Sequence, residues 1–168
     1  MEKVKAFCKR KNIEISVKRY LIDALGAMAQ GLFASLLIGT IISTLGTQLH
    51  IPILETVGTY AKAAVGPAMA IAIGYALQAA PLVLFSLAAV GAAANELGGA
   101  GGPLAVLVVA IFAAEFGKAV SKETKIDIIV TPFVTIFVGV ALSIWWAPAI
   151  GAAARVVGNA VMWGTELA

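Results

Sequence analysis

Long apolar runs, separated by few charged residues, dominate the pattern of this chain. Residues 24–54, 63–95, 97–114 and 128–154 carry no formal charge. An apolar stretch of about 18 residues or more is long enough to be a transmembrane helix. The first, second and fourth runs exceed that length, and the third just reaches it. The pattern predicts an all-α, polytopic integral membrane protein with about four or five membrane segments, including a broken or re-entrant helix pair.

Three of the predicted spans are clear, at about residues 21–45, 103–118 and 128–147. They divide the chain into a basic amphipathic cytoplasmic segment (1–20), a transmembrane helical domain (21–147) and a truncated interfacial or re-entrant helix (148–168). Residues 47–62 are too polar to span a membrane, so we expect an interfacial helix after Pro52.

The run 63–95 allows two interpretations, because Pro81 lies in its middle. Proline removes a backbone donor and kinks or breaks a helix. The run is therefore either one long kinked span or two helices that enter and return. Lysines follow the span 103–118, and cytoplasmic loops are enriched in basic residues. With a cytoplasmic N-terminus, only the two-helix alternative puts these lysines inside, so we favour it.

Composition and charge agree with a membrane protein. Hydrophobic residues make up 61% of the chain and charged residues 12%, whereas soluble domains carry about 25% charged residues. Seven basic residues fall in the first twenty positions: Lys3, Lys5, Lys9, Arg10, Lys11, Lys18 and Arg19. Beside a hydrophobic span, such a cluster indicates a cytoplasmic N-terminus rather than nucleic-acid binding.

Residues typical of soluble-enzyme chemistry are missing. His50 is the only histidine, which excludes a multi-histidine metal site. The glycine run 98–102 lacks the Lys and Ser or Thr that complete a phosphate-binding loop. We therefore predict no catalytic residues, no metal and no cofactor.

Polar residues at membrane depth are the candidates for binding a solute, since such groups are costly there and usually functional. The expected substrate-binding residues are Glu96, Asn95, Gln78, Gly98 and Gly99. The alternative for 95–99 is a plain surface loop. Secondary candidates are Glu115, which can pair with Lys118 one helical turn on, and Arg155 with Asn159, which share a helix face.

The strings AAANELGGAGGPLAVL, SKETKIDIIVTPFVTI and GNAVMWGTEL carry a resemblance to a bacterial membrane family. The family is described as phosphotransferase-system sugar-transporter subunit IIC and also as perfringolysin or toxin regulators, and the resemblance covers its N-terminal half. It implies a multi-pass protein of the bacterial inner membrane that binds and translocates a sugar or similar small polar solute. Soluble phosphotransferase subunits would supply the phosphate, so the chain would not be catalytic alone.

Two other functions stay open. The chain is alternatively a membrane-embedded regulator or sensor of gene expression that does not transport, or a scaffold without a ligand. A cavity shared by Gln78 and Glu96 would favour transport. In each case we expect a homo-oligomer in the lipid bilayer.

Overall fold

The structure is a bundle of antiparallel helices. A computed structural model describes residues 2–166, in which no β-strand occurs. The helices are α1 (Glu2–Arg10), α2 (Lys18–Leu49), α3 (Pro52–Ala63), α4 (Val65–Ala76), α5 (Pro81–Gly98), α6 (Gly102–Val120) and α7 (Asp127–Glu166). Helix α2 begins with a wider π-helical stretch at Lys18–Asp23 and contains another at Phe33–Leu37.

Three helical stretches in the described part of the chain are long and apolar enough to cross a membrane: Lys18–Leu49, Pro81–Val120 and Asp127–Trp163. The second stretch is folded back on itself at the glycine turn 98–102, because Gly117 near the end of α6 packs against Val83 near the start of α5. These stretches confirm the prediction of an all-α, multi-pass membrane protein.

The chain runs back and forth between two ends of the bundle. Gly31 of α2 packs against Ala68 and Met69 of α4, and Gly46 packs against Glu55 of α3. The helices α3 and α4 therefore return along α2, with a step at Ala64, where ψ is 3°. Helices α5, α6 and α7 continue this alternation. One end of the bundle, which we call the basic end, holds residues 10–20, 77–81 and 118–127. The turn 98–102 lies at the other, the glycine end.

The two-helix interpretation of 63–95 is confirmed. Helix α4 ends at Ala76, and Pro81 is the first residue of α5, where its missing N–H costs no helical hydrogen bond. Gln78 in the turn has a φ of 57°, which reverses the chain. As the paired arrangement requires, the lysine loop meets the N-terminal segment: Arg10 Nη2 lies 2.9 Å from Glu123 Oε1.

Two polar segments are arranged differently from a pair of separate short helices. Residues 52–63 form α3, which lies lengthwise against α2, with Gly58 in contact with Gly39 and Ser43. Residues 148–166 continue α7 through Pro148 to Glu166, and an interfacial or re-entrant position of either segment in the membrane stays a prediction. The last two residues of the predicted segment 148–168 lie outside the described residues.

The core runs along the bundle from the basic end to the glycine end. Its largest fully buried side chains include Met69, Ile73, Val83, Leu87, Val90, Val106 and Val109. The face that α7 turns toward this core carries small residues at every fourth position: Thr131, Thr135, Gly139, Ser143, Ala147 and Gly151, all buried. Small residues let helix backbones approach closely, which is how helices associate in lipid.

Beyond the glycine end, two helical arms continue. One consists of the end of α2 with α3, and the other is the last part of α7. Fifteen residues of α7 follow Gly151, which is roughly 22 Å of helix. Large apolar side chains remain exposed along both arms, including Leu45, Ile53 and Trp163.

Close approach of α4 and α5 generates a stability prediction. A Cβ at Gly91 would strike the Gly66 carbonyl and lie 2.6 Å from Ala70 Cβ. We expect Gly91→Ala to destabilise the protein by about 1–3 kcal/mol through overpacking. Thermal melting in detergent measures it. At the control position Gly26, where a Cβ meets nothing within 4 Å, alanine should leave the melting temperature equal or higher; equal effects at both positions would contradict the packing.

Candidate functional site

The carbonyl of Leu77 is the centre of a polar cluster at the basic end. Arg19 Nη2 donates to this oxygen at 2.7 Å, and Lys118 Nζ donates to it at 3.0 Å. Leu77 closes the C-terminus of α4, where unpaired carbonyls carry partial negative charge. Two cations from different helices thus satisfy a helix end that the bundle buries.

Asn12 joins this cluster to the N-terminal segment. Its backbone carbonyl accepts from Lys118 Nζ at 2.9 Å, and its Oδ1 accepts from Arg19 Nη1 at 3.2 Å. Its Nδ2 donates to Gln78 Oε1. Asn12 has a φ of 54°, a left-handed conformation that asparagine tolerates better than most residues. One residue therefore connects the segment after α1 to the α4–α5 turn, to α2 and to α6.

Lys118 and Glu115 form the expected ion pair on α6. Lys118 Nζ lies 3.0 Å from Glu115 Oε1, and the side chains are 3% and 15% exposed. The N-terminal segment covers Lys118, since Lys118 Nζ donates to the Asn12 carbonyl. In this buried position the charge of Lys118 is compensated by one carboxylate and two carbonyls.

Next to the cluster lies an open polar cavity of about 370 Å³. Its lining combines basic, amide, hydroxyl and acidic groups: Arg10, Lys11, Asn12, Gln78, Ala80, Lys118, Ser121, Lys122 and Glu123. Gln78, a predicted substrate-binding residue, is exposed here at the α4–α5 turn. The cavity thus has both donors and acceptors within reach of a small polar molecule.

Glu123 anchors the N-terminal segment to the loop between α6 and α7. A hydrogen bond from Lys11, together with the charge of Arg10, holds the pKa of Glu123 below its ordinary value of 4.5. Lys11 Nζ also donates to the carbonyl of Ser121. The segment after α1 is therefore attached on both sides of the cavity.

The other predicted residues lie at the glycine end. Asn95 is half-buried, and its side chain touches the positions where Gly66 and Gly102 would carry a Cβ. Glu96 is exposed on the last turn of α5. Gly98 is buried against Ala105 and α7, whereas Gly99, with a φ of 50°, is exposed and makes the turn.

Gln78 and Glu96 do not share a cavity. Fifteen helical steps lead from Pro81, beside the turn that holds Gln78, to Glu96, which is a distance of roughly 22 Å. The shared cavity that would favour transport is therefore not formed, because α5 is a continuous helix that puts its two flanking turns at opposite ends; the role of these residues in binding a solute stays a prediction. The glycine end holds Asn95, Glu96, Gly98 and Gly99, whereas Gln78 lies at the basic end.

Arg155 and Asn159 lie on the arm formed by α7, and both are exposed. Arg155 follows Ala154, whose Cβ is beside Gly101 of the glycine turn. This places Arg155 nearer to Glu96 than to Gln78. Their role in a pore face stays a prediction.

Sequence reasoning missed Arg19 and Asn12. Arg19 is 8% exposed, although it belongs to the basic run that indicated topology. A signal was available, because Arg19 directly precedes the first apolar run, where a basic side chain can reach either the interface or a helix end. No pattern distinguished Asn12 from other polar residues of the segment.

Comparison with known proteins agrees with this architecture. A family model, "Phosphotransferase system, EIIC", matches residues 22–168. The chain belongs to this family. It is thus a membrane subunit of the phosphotransferase-system transporter type, and the match does not confirm the toxin-regulator description. No curated protein and no solved structure matches the chain.

The ion pair of this EIIC chain generates a second prediction. Lys118→Met would leave Glu115 without its cation and the Leu77 carbonyl with Arg19 alone, and we expect a loss of about 3–5 kcal/mol in unfolding free energy. Thermal or denaturant unfolding in detergent measures it. The double variant Lys118→Met/Glu115→Leu should recover part of the loss. Lys122→Met, at an exposed lysine, is the control; if it costs as much, the buried pair is not the cause.

A third prediction concerns the pH dependence of the N-terminal attachment. The pKa of Glu123 is lowered in the folded state. Its contribution to the attachment of the N-terminal segment is therefore complete above the ordinary pKa of 4.5 and is lost as pH falls through the lowered pKa. We expect amide exchange of residues 8–13, corrected for intrinsic rates, to accelerate over this acidic range.

The variant Glu123→Gln provides the comparison. It should show the faster exchange already at neutral pH and change less on acidification. Exchange that is equally slow at neutral pH in the variant would mean that Glu123 does not hold the segment.

Proposed function

We propose that this EIIC-family chain contributes to the binding and translocation of a sugar or similar small polar solute. Membership of the EIIC family over residues 22–168 is the observation that carries the proposal. Polar side chains at the two ends of the bundle support the proposal, because they can hydrogen-bond a polar solute.

The cavity at the basic end suits a small solute. Its volume of about 370 Å³ falls within the range of about 300–1,000 Å³ that is usual for small-molecule sites. Gln78 offers an amide group and Glu123 a carboxylate. Amides and carboxylates are groups that hydrogen-bond well to sugar hydroxyls.

The glycine end is the second proposed station. Asn95 and Glu96 stand beside a turn whose glycines expose backbone, and transporters use such interrupted helices at their binding sites. The distance of roughly 22 Å between Glu96 and Gln78 is most of the thickness of a bilayer core of about 30 Å. A solute would meet the two stations in turn rather than at once.

The orientation follows from the basic residues. With the N-terminus and the lysine loop in the cytoplasm of a bacterium, the basic end faces the soluble phosphotransferase subunits. The glycine end and the two arms then face outward. Exposed apolar side chains on both arms support packing against further membrane helices, in a homo-oligomer or in a longer chain.

Ligand binding by site variants tests the proposal. Sugars and small polar solutes are screened by thermal shift on the purified protein, and we expect a concentration-dependent rise in melting temperature with at least one of them. Glu96→Gln and Gln78→Ala should each weaken the binding of that ligand. Loss of a hydrogen bond to a charged group, about 1.5–3 kcal/mol, raises Kd at least tenfold for Glu96→Gln.

Glu55→Gln is the matched control, because Glu55 is an exposed glutamate on α3. It should bind like the parent. Uptake of the same labelled solute by cells that carry each variant then separates binding from transport. A ligand whose affinity is the same in all four proteins, or no response to any solute, would count against both proposed stations.

A further inference from the structure

Two apolar grooves flank the segment that connects α1 to α2. The first, of about 430 Å³, lies against the outer side of α6 and is lined by Ile13, Ile15, Tyr20, Val108, Ile111, Phe112 and Glu115. The second, of about 460 Å³, lies against α1 and is lined by Val4, Lys5, Cys8, Lys9, Asn12, Ile13, Glu14 and Ile15. Ile13 and Ile15 line both, so the two grooves adjoin at these side chains and together make up one surface around the segment.

This surface has the two parts of an amphiphile-binding site. On the α6 side the lining is almost wholly apolar and is continuous with the exposed Phe112 and Phe116 of that helix. On the α1 side, Lys5 and Lys9 stand beside the apolar wall. Ile15 is 87% exposed and Val4 is 66% exposed, which is unfavourable unless something apolar covers them.

The charges of the grooves favour an anion. Within residues 2–166, no acidic side chain pairs with Lys5 or Lys9. The two acids in the grooves already have cations: Glu14 lies 3.7 Å from Arg19, and Glu115 lies 3.0 Å from Lys118. The uncompensated charge of the surface is therefore positive and lies on α1.

We propose that these grooves bind one anionic phospholipid. An acyl chain lies in the groove of Tyr20, Ile111 and Phe112, and the phosphate of the headgroup contacts Lys5 and Lys9. A basic segment at the point where a helix enters the bilayer is placed to meet anionic headgroups. The apolar groove along α6 distinguishes a lipid from an acidic soluble protein, which would need the lysines only. The proposal does not depend on sugar transport.

Native mass spectrometry of the purified protein in detergent measures this binding. Phosphatidylglycerol is compared with phosphatidylcholine of the same acyl chains and with inorganic phosphate. We expect saturable retention of one phosphatidylglycerol per chain. Cys8 lines the second groove and is the only cysteine, so its alkylation by N-ethylmaleimide should slow severalfold with phosphatidylglycerol and little with the other two additives.

Matched variants test each part of the site. Lys5→Gln/Lys9→Gln should raise the Kd for phosphatidylglycerol about 10- to 30-fold. Lys3→Gln/Lys125→Gln removes the same charge from exposed lysines outside the grooves and should change it less than threefold. Ile15→Ser should weaken binding, whereas Val17→Ser, at an exposed residue outside both grooves, should not.

Several results would overturn the proposal. Equal retention of the two phospholipids would indicate unspecific apolar adsorption, and an equal effect of inorganic phosphate would indicate a simple anion site. Equal losses of phosphatidylglycerol affinity in the two double lysine variants, or in the two serine variants, would mean that the assigned contacts are not made. Protection of Cys8 that follows protein concentration instead of lipid concentration would mean that a second copy of the chain covers the grooves.

Discussion

The carbonyl of Leu77, held between Arg19 and Lys118, is the contact on which the arrangement of the basic end depends. A helix that ends inside a bundle must satisfy its last carbonyls, because no water is available to do so. Here charged donors from α2 and α6 provide the hydrogen bonds, and both interact favourably with the negative end of α4. The same cations fix Asn12, so the N-terminal segment, three helices and the α4–α5 turn share one polar centre.

The rest of the bundle is held by close contact rather than by charge. Gly66 and Gly91 let α4 and α5 meet backbone to backbone, and Gly39 with Gly58 does the same for α2 and α3. In lipid, moving apolar side chains from the acyl chains into a helix interface gains little free energy. Van der Waals packing at short range therefore has to supply the association energy. The buried hydroxyls of Thr135 and Ser143 donate to carbonyls of their own helix, so they need no hydrogen-bond partner from another helix.

The polar groups that we propose to bind a solute lie at the two ends of the bundle. The basic end carries polar groups, a cavity and the attachment of α1, whereas the glycine end carries a turn with Asn95 and Glu96. Between them α5 and α6 are packed along apolar and small residues, as expected for helices that cross a membrane in the EIIC family. A solute path and a lipid-binding surface would both begin at the basic end, on different sides of the N-terminal segment.

Much of the fold could be predicted from the sequence, because apolar run length and charge placement are local properties with direct meaning in a bilayer. They determined the all-α membrane class, the break at Pro81, the common side of the N-terminus and the lysine loop, and the pairing of Glu115 with Lys118. Only the tertiary structure decided which helix faces meet. It placed residues 52–63 along α2, continued α7 past Pro148 and separated Gln78 from Glu96. It also buried Arg19 against Leu77, since the partner of a polar group is set by contacts between residues far apart in the chain.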